Sequence, residues 1–352
     1  MGHSGAPLAF REGGARPDIV DDVLASREGQ IRNDVLAHRY FANSPQSSCA
    51  LLCAPLKTEQ RVLGVMLLTA PAPAAYTARD LKLLNTVALQ AGPALEMARL
   101  YQIAVVQGRM ERELQMAYQV QSSLIPRRSP QAEGWEFAGR WTPARELSGD
   151  YYDFIHEPDG RLGLVIGDVA DKGIPSALFM VFTRSAVRTA AEVRRSPARA
   201  IAQANRLVAQ ESTNGLFVTL IYARLEQKSG LMTFVNAGHN PALHYCAATG
   251  ELLELGLGGL PLGIMRETPY VERDLQMKPG DLLVFYTDGV TEAMDEAQEE
   301  FGVDRLRQAI LRHANLPAEE LASTIEEAVR DFTGPGPLFD DVTLMIARRL
   351  PA

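Results

Sequence analysis

Four short segments of the sequence place an aspartate beside glycine, or in a tight turn, at the end of an apolar run. One such turn is an ordinary way to end a strand, but an ionised carboxylate beside a buried strand is costly unless a positive charge neutralises it. Four of them in one region indicate carboxylates that converge on cations. The segments are GDYYD (149–153), IGDV (166–169), YTDG (286–289) and FDDVT (339–343).

These segments offer only oxygen ligands, which favours Mg²⁺ or Mn²⁺. His239 and His244 are five residues apart in a predicted hairpin, so no histidine stands at zinc spacing from a second His or Cys. Calcium stays an alternative, although its usual acidic loop is missing. Two ions that share a carboxylate would activate a water near neutral pH and neutralise a phosphoryl group. No side-chain nucleophile is then needed, and the sequence shows none.

The composition fits two or three globular domains. The 352 residues are 46% hydrophobic and 22% charged, which excludes wholesale disorder. The longest apolar run, at 62–70, has about nine residues, whereas a membrane helix needs roughly 20. No signal peptide is visible, so we expect a cytoplasmic protein without membrane insertion. A net charge of −8 and the lack of a long Lys/Arg run argue against nucleic acid as a partner.

Patterning predicts a first region over residues 1–95. It opens with a Gly/Pro-rich stretch, expected to be loose to about residue 17, and a short helix at 18–26. Apolar runs at 50–56 and 61–68 predict a hairpin, a Pro/Ala loop follows at 70–75, and Thr77 with Asp80 forms a weakened capping box before a helix. Cys49 and Cys53 are interpreted as small buried hydrophobes in a reducing compartment, rather than as metal or redox groups.

A long amphipathic helix is predicted over residues 96–126. Ile103, Met110, Ala117 and Leu124 repeat every seven residues, although Glu113 interrupts a companion position. We favour contact between two copies, a homodimer through this linker helix, over burial against the chain's own domains. Residues 127–352 then mix strands and helices without strict alternation, which predicts an α+β domain.

Residues from about 112 to 350, two-thirds of the chain, resemble the SpoIIE/RsbU-type branch of the PPM superfamily of metal-dependent serine/threonine phosphatases. The resemblance implies a four-layer α-β-β-α sandwich with two metal ions at one end of its central sheets. The matching strings occur in family order. They are ELQMAYQVQSSLIP (113–126), PARELSGDYYDF (143–154), GDVADKGIPSAL (167–178), NAGHNP (236–241), TDGVTEA (287–293) and DDVTL (340–344).

The resemblance also implies roles for individual residues, with Asp168, Asp288 and Asp340 as the catalytic set. Asp168 would bridge both ions, and Asp288 and Asp340 would hold the second. The Val169 carbonyl and Asp150, with Asp153 as its partner, would bind the first. Asp341 would orient Asp340 or bind a third ion, and Arg145 would contact phosphate. Three glycines are expected to let the backbone turn tightly beside the ions: Gly167, Gly173 and Gly289.

The sequence departs from the family pattern at a few positions. Ser148 replaces the first of two glycines before Asp150, and Ala170-Asp171 replaces a Ser-Gly pair. Larger relatives carry a histidine just after the bridging aspartate as a general acid, where this chain has Val169. Protonation of the leaving group would then fall to water or to another group. For His239 we weigh a structural turn role, which we favour, against a proton donor.

The first region is similar to the carboxy-terminal part of a GAF domain, a sensor module, which implies regulation of the catalytic domain through the linker helix. The leading hypothesis is a two-metal phosphoserine/phosphothreonine phosphatase. By resemblance, its substrate would be a phosphorylated STAS-domain anti-anti-sigma protein in bacterial partner switching. The alternative is a pseudophosphatase scaffold that binds such partners without catalysis. A two-metal phosphodiesterase acting on nucleotides is disfavoured because no basic patch is visible.

Overall fold

A computed structural model describes residues 18–36, 48–71, 75–212, 215–256, 258–336 and 338–351. The chain divides into two compact units, Met1–Glu111 and Arg112–Ala352. The predicted loose start and residues 72–74 of the predicted Pro/Ala loop lie outside the described residues. No helix of the described ranges is both long and apolar enough to span a bilayer.

The first unit is built on a three-stranded antiparallel sheet in the order β1-β2-β3. Cys49, Leu51 and Cys53 face the helix α1, whereas Leu52 and Ala54 on the other face of the same strand pack against the start of α2. Both cysteines are buried and free, which confirms their interpretation as hydrophobic core residues. The elements are α1 (Asp18–Ser26), β1 (Gln30–Leu36), β2 (Ser48–Lys57), β3 (Val62–Pro71) and α2 (Ala78–Leu124).

Helix α2 has 47 residues and begins with the predicted capping box. The Thr77 N–H donates to Asp80 Oδ2 at 2.8 Å, and the Asp80 N–H donates to Thr77 Oγ1 at 3.4 Å. Pro93 lies inside the helix and does not end it. A proline removes one backbone hydrogen bond and crowds one carbonyl, which strong helix formers on both sides can offset. The linker helix predicted over 96–126 is therefore the later part of a longer helix.

The second unit contains two five-stranded sheets, and all of their strand pairs are antiparallel. Its strands are β4 (Trp135–Thr142), β5 (Tyr151–His156), β6 (Leu162–Val169), β7 (Val218–Glu226), β8 (Leu231–Ala237), β9 (Leu243–Cys246), β10 (Glu251–Glu254), β11 (Arg273–Gln276), β12 (Leu282–Tyr286) and β13 (Val342–Arg349). Its helices are α3 (Ile174–Val193), α4 (Pro197–Glu211), α5 (Asp288–Thr291), α6 (Gly302–His313) and α7 (Ala318–Thr333).

The two sheets form the middle layers of a sandwich. Their orders are β11-β8-β7-β6-β5 and β10-β9-β12-β13-β4, and side chains from both share one buried core. Helices α3 and α4 cover the first sheet, and α6 and α7 cover the second. The predicted α+β class and the α-β-β-α layering are confirmed.

The register of two strand pairs brings the predicted site together. Tyr151 of β5 lies opposite Gly167 of β6, so the residues before β5 lie beside the end of β6. In the other sheet Tyr286 lies opposite Leu344, so the residues after β12 lie beside those that precede β13. All four ends meet at one end of the sandwich.

Candidate active site

Five aspartates from the two sheets gather at this end of the sandwich. The pKa of Asp150 is raised well above its usual range, mainly by burial and in second place by the negative charges of Asp168 and Asp341. Burial, and then Asp288, raises the pKa of Asp168 to about 7. Burial and the charge of Asp340 likewise raise the pKa of Asp288. The structure therefore brings these five carboxylates close enough to act on one another.

Asp150 is held by hydroxyl groups from the opposite sheet. Its Oδ2 accepts hydrogen bonds from Thr287 Oγ1 and Thr343 Oγ1, both at 2.7 Å, and the residue is 2% exposed. Trp141 Nε1 donates to its backbone carbonyl at 3.0 Å. These bonds fix the carboxylate and also join the two sheets where the acidic residues meet.

Asp341 holds the loop that leads to Asp150. Its carboxylate accepts hydrogen bonds from the Ala144 N–H at 2.8 Å, from Ser148 Oγ at 2.7 Å and from the Gly149 N–H at 3.0 Å. Burial nevertheless raises its pKa. The backbone N–H of Asp341 also donates to Asp340 Oδ1 at 2.9 Å.

Asp340 forms an ion pair with Lys172. The ammonium Nζ lies 2.8 Å from Asp340 Oδ2, donates to the Phe339 carbonyl at 3.0 Å and lies 4.5 Å from the centroid of the Phe339 ring. Lys172 thus brings a positive charge into the acidic end. Its positive charge also acts to lower the pKa of Asp288, although burial and Asp340 outweigh it.

The donor set fits a hard divalent cation, because clustered carboxylates in a partly buried place need positive charge and offer only oxygen ligands. Within the described ranges, no three His, Cys, Asp or Glu side chains already stand as a group that could hold a metal ion. Two candidate ligands are engaged elsewhere: Asp340 with Lys172, and Asp150 with two threonines. Binding would require these side chains to exchange partners.

The structure does not bring Asp153 into the acidic cluster, which corrects the prediction that it assists Asp150 at the first ion. Its Oδ2 lies 3.1 Å from Arg184 Nε and 2.9 Å from Arg188 Nε, and the residue is 1% exposed. Side chains alternate along a strand, so Asp153 shares the face of Tyr151 and points toward α3. Burial still raises the pKa of Asp153 in spite of the two arginines.

Of the remaining predicted residues, Arg145 lies at the approach to the cluster, whereas Val169 and Gly289 are buried beside it. Arg145 is exposed and borders a groove of about 640 Å³ together with Lys172 and Phe339. The Val169 carbonyl faces Gly149, where an added Cβ would lie 3.0 Å from the oxygen. At Gly289 a Cβ would clash with the Asp341 carbonyl, so glycine is needed there for close approach of two backbones.

His239 lies in a turn between the two sheets, and both of its ring nitrogens are engaged. Nδ1 lies 2.8 Å from Thr219 Oγ1, and Nε2 lies 3.1 Å from the Tyr286 carbonyl, so Nε2 carries the proton. Burial lowers its pKa to about 4. A neutral ring with both nitrogens occupied favours the structural interpretation over the proton donor.

Several residues that contact the cluster were not singled out from the sequence. Thr287 directly precedes Asp288, and Thr343 follows Asp341 by two residues. This closeness in the chain was the available signal. The end of α2 was recognised only as linker, yet Gln121 bonds to Ser148, and Tyr118 stacks on Trp141 with ring centroids 5.8 Å apart. Nothing in the local pattern indicates those long-range contacts.

Comparison with known proteins agrees with this architecture. Residues 158–350 match the family described as Stage II sporulation protein E (SpoIIE), and residues 2–96 match the GAF domain family. Phosphoserine phosphatase RsbU of Bacillus subtilis (strain 168) is 31% identical over 247 residues, which cover 69% of this chain and 72% of that protein.

Two solved structures are similar to a large part of this chain. The SiaA-PP2C domain of Pseudomonas aeruginosa has a TM-score of 0.61 at 22% identity and covers 70% of this chain and 98% of its own. The RsbU and RsbW domains of Rv1364c from Mycobacterium tuberculosis have a TM-score of 0.53 at 28% identity, over 62% of this chain and 61% of that one.

The sandwich, together with these relatives, defines a protein serine/threonine phosphatase of the PP2C type, as the sequence predicted. The chain belongs to the SpoIIE family and carries a GAF domain on its N-terminal side.

Proposed function

We propose that this protein hydrolyses phosphoserine or phosphothreonine in a partner protein in the cytoplasm, with the help of two Mn²⁺ or Mg²⁺ ions. The observation that carries the proposal is the cluster of five aspartates, in which burial and neighbouring carboxylates raise the pKa of four members: Asp150, Asp168, Asp288 and Asp341. Such a set is stabilised by cations, and the named phosphoserine phosphatase RsbU is a relative over most of the chain.

In this proposal the chain's own residues divide the work of holding ions and substrate. Asp168 would bridge the two ions, Asp150 and the Val169 carbonyl would serve the first, and Asp288 and Asp340 the second. When bound, the ions would activate water near neutral pH and neutralise the phosphoryl charge. Asp341 keeps Asp340 and the Asp150 loop in place through its hydrogen bonds.

The substrate phosphate would enter along the groove beside the cluster. Arg145 is exposed there, and its guanidinium would form a bidentate contact with phosphate oxygens. Lys172 borders the same groove and would exchange its pairing with Asp340 for a contact with the phosphate once cations occupy the aspartates. Both side chains would orient the phosphoryl group toward the acidic end.

We further propose that the phosphoprotein is a STAS-domain anti-anti-sigma protein of a partner-switching pathway. The support is family membership, together with a similar structure that contains RsbU and RsbW domains in one protein. A direct test is dephosphorylation of candidate STAS proteins in vitro, with a phosphoserine peptide of unrelated sequence as control. Equal rates on both substrates would contradict this assignment.

We also propose that two copies associate through α2. Many apolar side chains of this helix are exposed, including Ile103 (42%), Val106 (67%) and Met110 (55%). Light scattering on the full chain should give a dimer, and Val106→Glu with Met110→Glu should give a monomer. Gln107→Glu, an exposed polar position on the same helix, should leave the dimer intact. A wild-type monomer at micromolar concentration would overturn this point.

The decisive experiment is hydrolysis of p-nitrophenyl phosphate with Mn²⁺ and then with EDTA. We expect turnover that depends on the metal and that Asp288→Asn abolishes while the fold is kept. Asp331→Asn is the matched control, because it makes the same change at an exposed aspartate in α7, and it should retain activity. A wild-type protein without turnover under any divalent ion, on this ester and on phosphoproteins, would favour the scaffold alternative.

A further inference from the structure

A second polar cavity, of about 320 Å³, lies in the second unit where the chain leaves α2 and passes α3. We propose that this cavity binds a small phosphate-bearing anion, such as a diphosphate or a phosphate ester, at a site separate from the acidic end. Four arginines and a histidine border it: Arg127, Arg128, Arg184, Arg188 and His156.

The charge of this cavity contrasts with that of the chain. Asp153 is the sole acidic residue among the described residues that line it, against four guanidinium groups. The whole chain carries a net charge of −8, so this concentration of positive charge is local. Like charges gathered around a cavity repel one another, and an anion in the middle relieves that repulsion.

Much of the hydrogen-bonding capacity of these arginines is unused. In the described part of the chain, no ion pair or hydrogen bond engages the side chains of Arg127 and Arg128, which are exposed at the rim. Arg184 and Arg188 both approach the same oxygen of Asp153 through Nε, and neither contact has the alignment of a hydrogen bond. Arg188 also donates from Nη2 to the Phe154 carbonyl at 3.3 Å. The buried Asp153 oxygens lack an aligned donor, so the remaining N–H groups of Arg184 and Arg188 are able to serve another anion.

Arginine chemistry points to phosphate as the ligand class. The planar guanidinium donates two parallel hydrogen bonds to a phosphate group. Several guanidinium groups around one cavity therefore suit a ligand that carries several negatively charged phosphate oxygens. The volume is at the lower end of the range for small-molecule sites, which suits a diphosphate or a simple ester rather than a protein segment.

The site is distinct from the proposed catalytic centre. Asp153 lies on the face of β5 that packs against α3, whereas Asp150 lies before the strand and bonds to the opposite sheet. Occupation of the cavity would join the segment after α2 to α3, the helix that follows the loop of Asp168. The proposal does not depend on hydrolysis, so its failure and that of the phosphatase assignment are separable.

The test is calorimetric titration of the full chain with pyrophosphate in EDTA, which prevents divalent ions from holding the anion at the aspartates. We expect saturable binding that weakens about tenfold or more in Arg127→Glu/Arg128→Glu. The milder double substitution Arg127→Gln/Arg128→Gln should also weaken pyrophosphate binding. Arg266→Glu, the same change at an exposed position outside the cavity, should bind as the wild type does.

Three results would overturn the proposal. One is no saturable binding by the wild type. Another is that the rim variants do not weaken binding: both bind pyrophosphate as tightly as the wild type does, or Arg145→Ala weakens binding instead. Weakening by Arg145→Ala would place the anion in the groove at the acidic end. The third is citrate binding as tightly as pyrophosphate, which would remove the assignment to phosphate.

Discussion

Gln121, in the last turn of α2, exchanges two hydrogen bonds with the backbone of Ser148. Its Nε2 donates to the Ser148 carbonyl at 2.7 Å, and its Oε1 accepts from the Ser148 N–H at 3.1 Å. Ser148 Oγ in turn donates to Asp341 and accepts from the Asp150 N–H. The side chain of Gln121 therefore holds Ser148, which itself bonds to both Asp150 and Asp341 of the candidate site.

We expect Gln121→Ala to lower kcat by about tenfold, because the loop before Asp150 loses an anchor and two buried backbone groups lose their partners. Stability should fall by about 1–3 kcal/mol. Steady-state kinetics and urea unfolding measure both effects. Gln119→Ala removes an exposed glutamine from the same helix turn and should change neither. Similar losses in the two variants would show a general effect on the helix instead.

We expect Lys172→Met to tighten Mn²⁺ binding, because it removes a cation that occupies Asp340. Lys172 is one-third exposed, so solvent reduces the effect to about 1 kcal/mol, or about fivefold in Kd. Calorimetric titration with Mn²⁺ provides the measurement. Lys228→Met, at an exposed turn away from the site, should leave the Kd unchanged. Weaker Mn²⁺ binding in Lys172→Met would contradict the competition.

Asp168→Ala should be the most damaging single substitution at the site, because Asp168 is the candidate ligand shared by both ions. Turnover of p-nitrophenyl phosphate should fall below detection, and Mn²⁺ affinity should fall with it. Asp331→Ala, an exposed aspartate in α7, is the control for loss of a carboxylate. Retained Mn²⁺ affinity in Asp168→Ala would remove the basis of the two-ion assignment.

His239 should make the fold sensitive to mild acid. Its pKa is about 4 in the fold, against 6.5 for the free side chain, so the unfolded chain takes up a proton first as the pH falls. The stability that the neutral ring contributes is complete above pH 6.5 and is lost toward pH 4, by about 3 kcal/mol in total.

Urea unfolding at about pH 7.5 and pH 5 tests this prediction. Between the two, the wild type should lose about 2 kcal/mol more than His239→Gln, which keeps a donor and an acceptor but does not titrate. His313→Gln, in the last turn of α6, should follow the wild type. Parallel losses in wild type and His239→Gln would exclude His239 as the source.

Long elements with strong local signals could be predicted from the sequence. The sequence pattern predicts a helix over 174–193 and a strand over 282–286. Helix α3 and strand β12 have these bounds, because each combines an apolar run with a clear stop or start such as Gly173-Ile174-Pro175. Strands β10 and β11 were not predicted, and β9, expected in a hairpin with β8, lies in the other sheet. Each has four residues, and β10 and β11 are mostly exposed, so neither length nor periodicity distinguishes them from loops.

The acidic cluster was predictable because each aspartate is marked by its own neighbours in the chain. The partners of those aspartates were not. Asp153 belongs to the same segment as Asp150, and only the packing of α3 on β5 shows that it meets Arg184 and Arg188 instead. The place of Lys172 in the site likewise rests on its ion pair with Asp340, a residue far along the chain, and no local sequence pattern predicts that pair.

The aspartates come from two sheets that touch through a common interior. The spacing of the carboxylates is therefore set by the thickness of that interior, and side chains such as Ile221 and Phe285 act as its spacers. A methylene gained or lost there shifts one sheet against the other. Substitutions that silence this protein should accordingly occur deep between the sheets as well as among the acidic residues, and some will do so at nearly normal melting temperature.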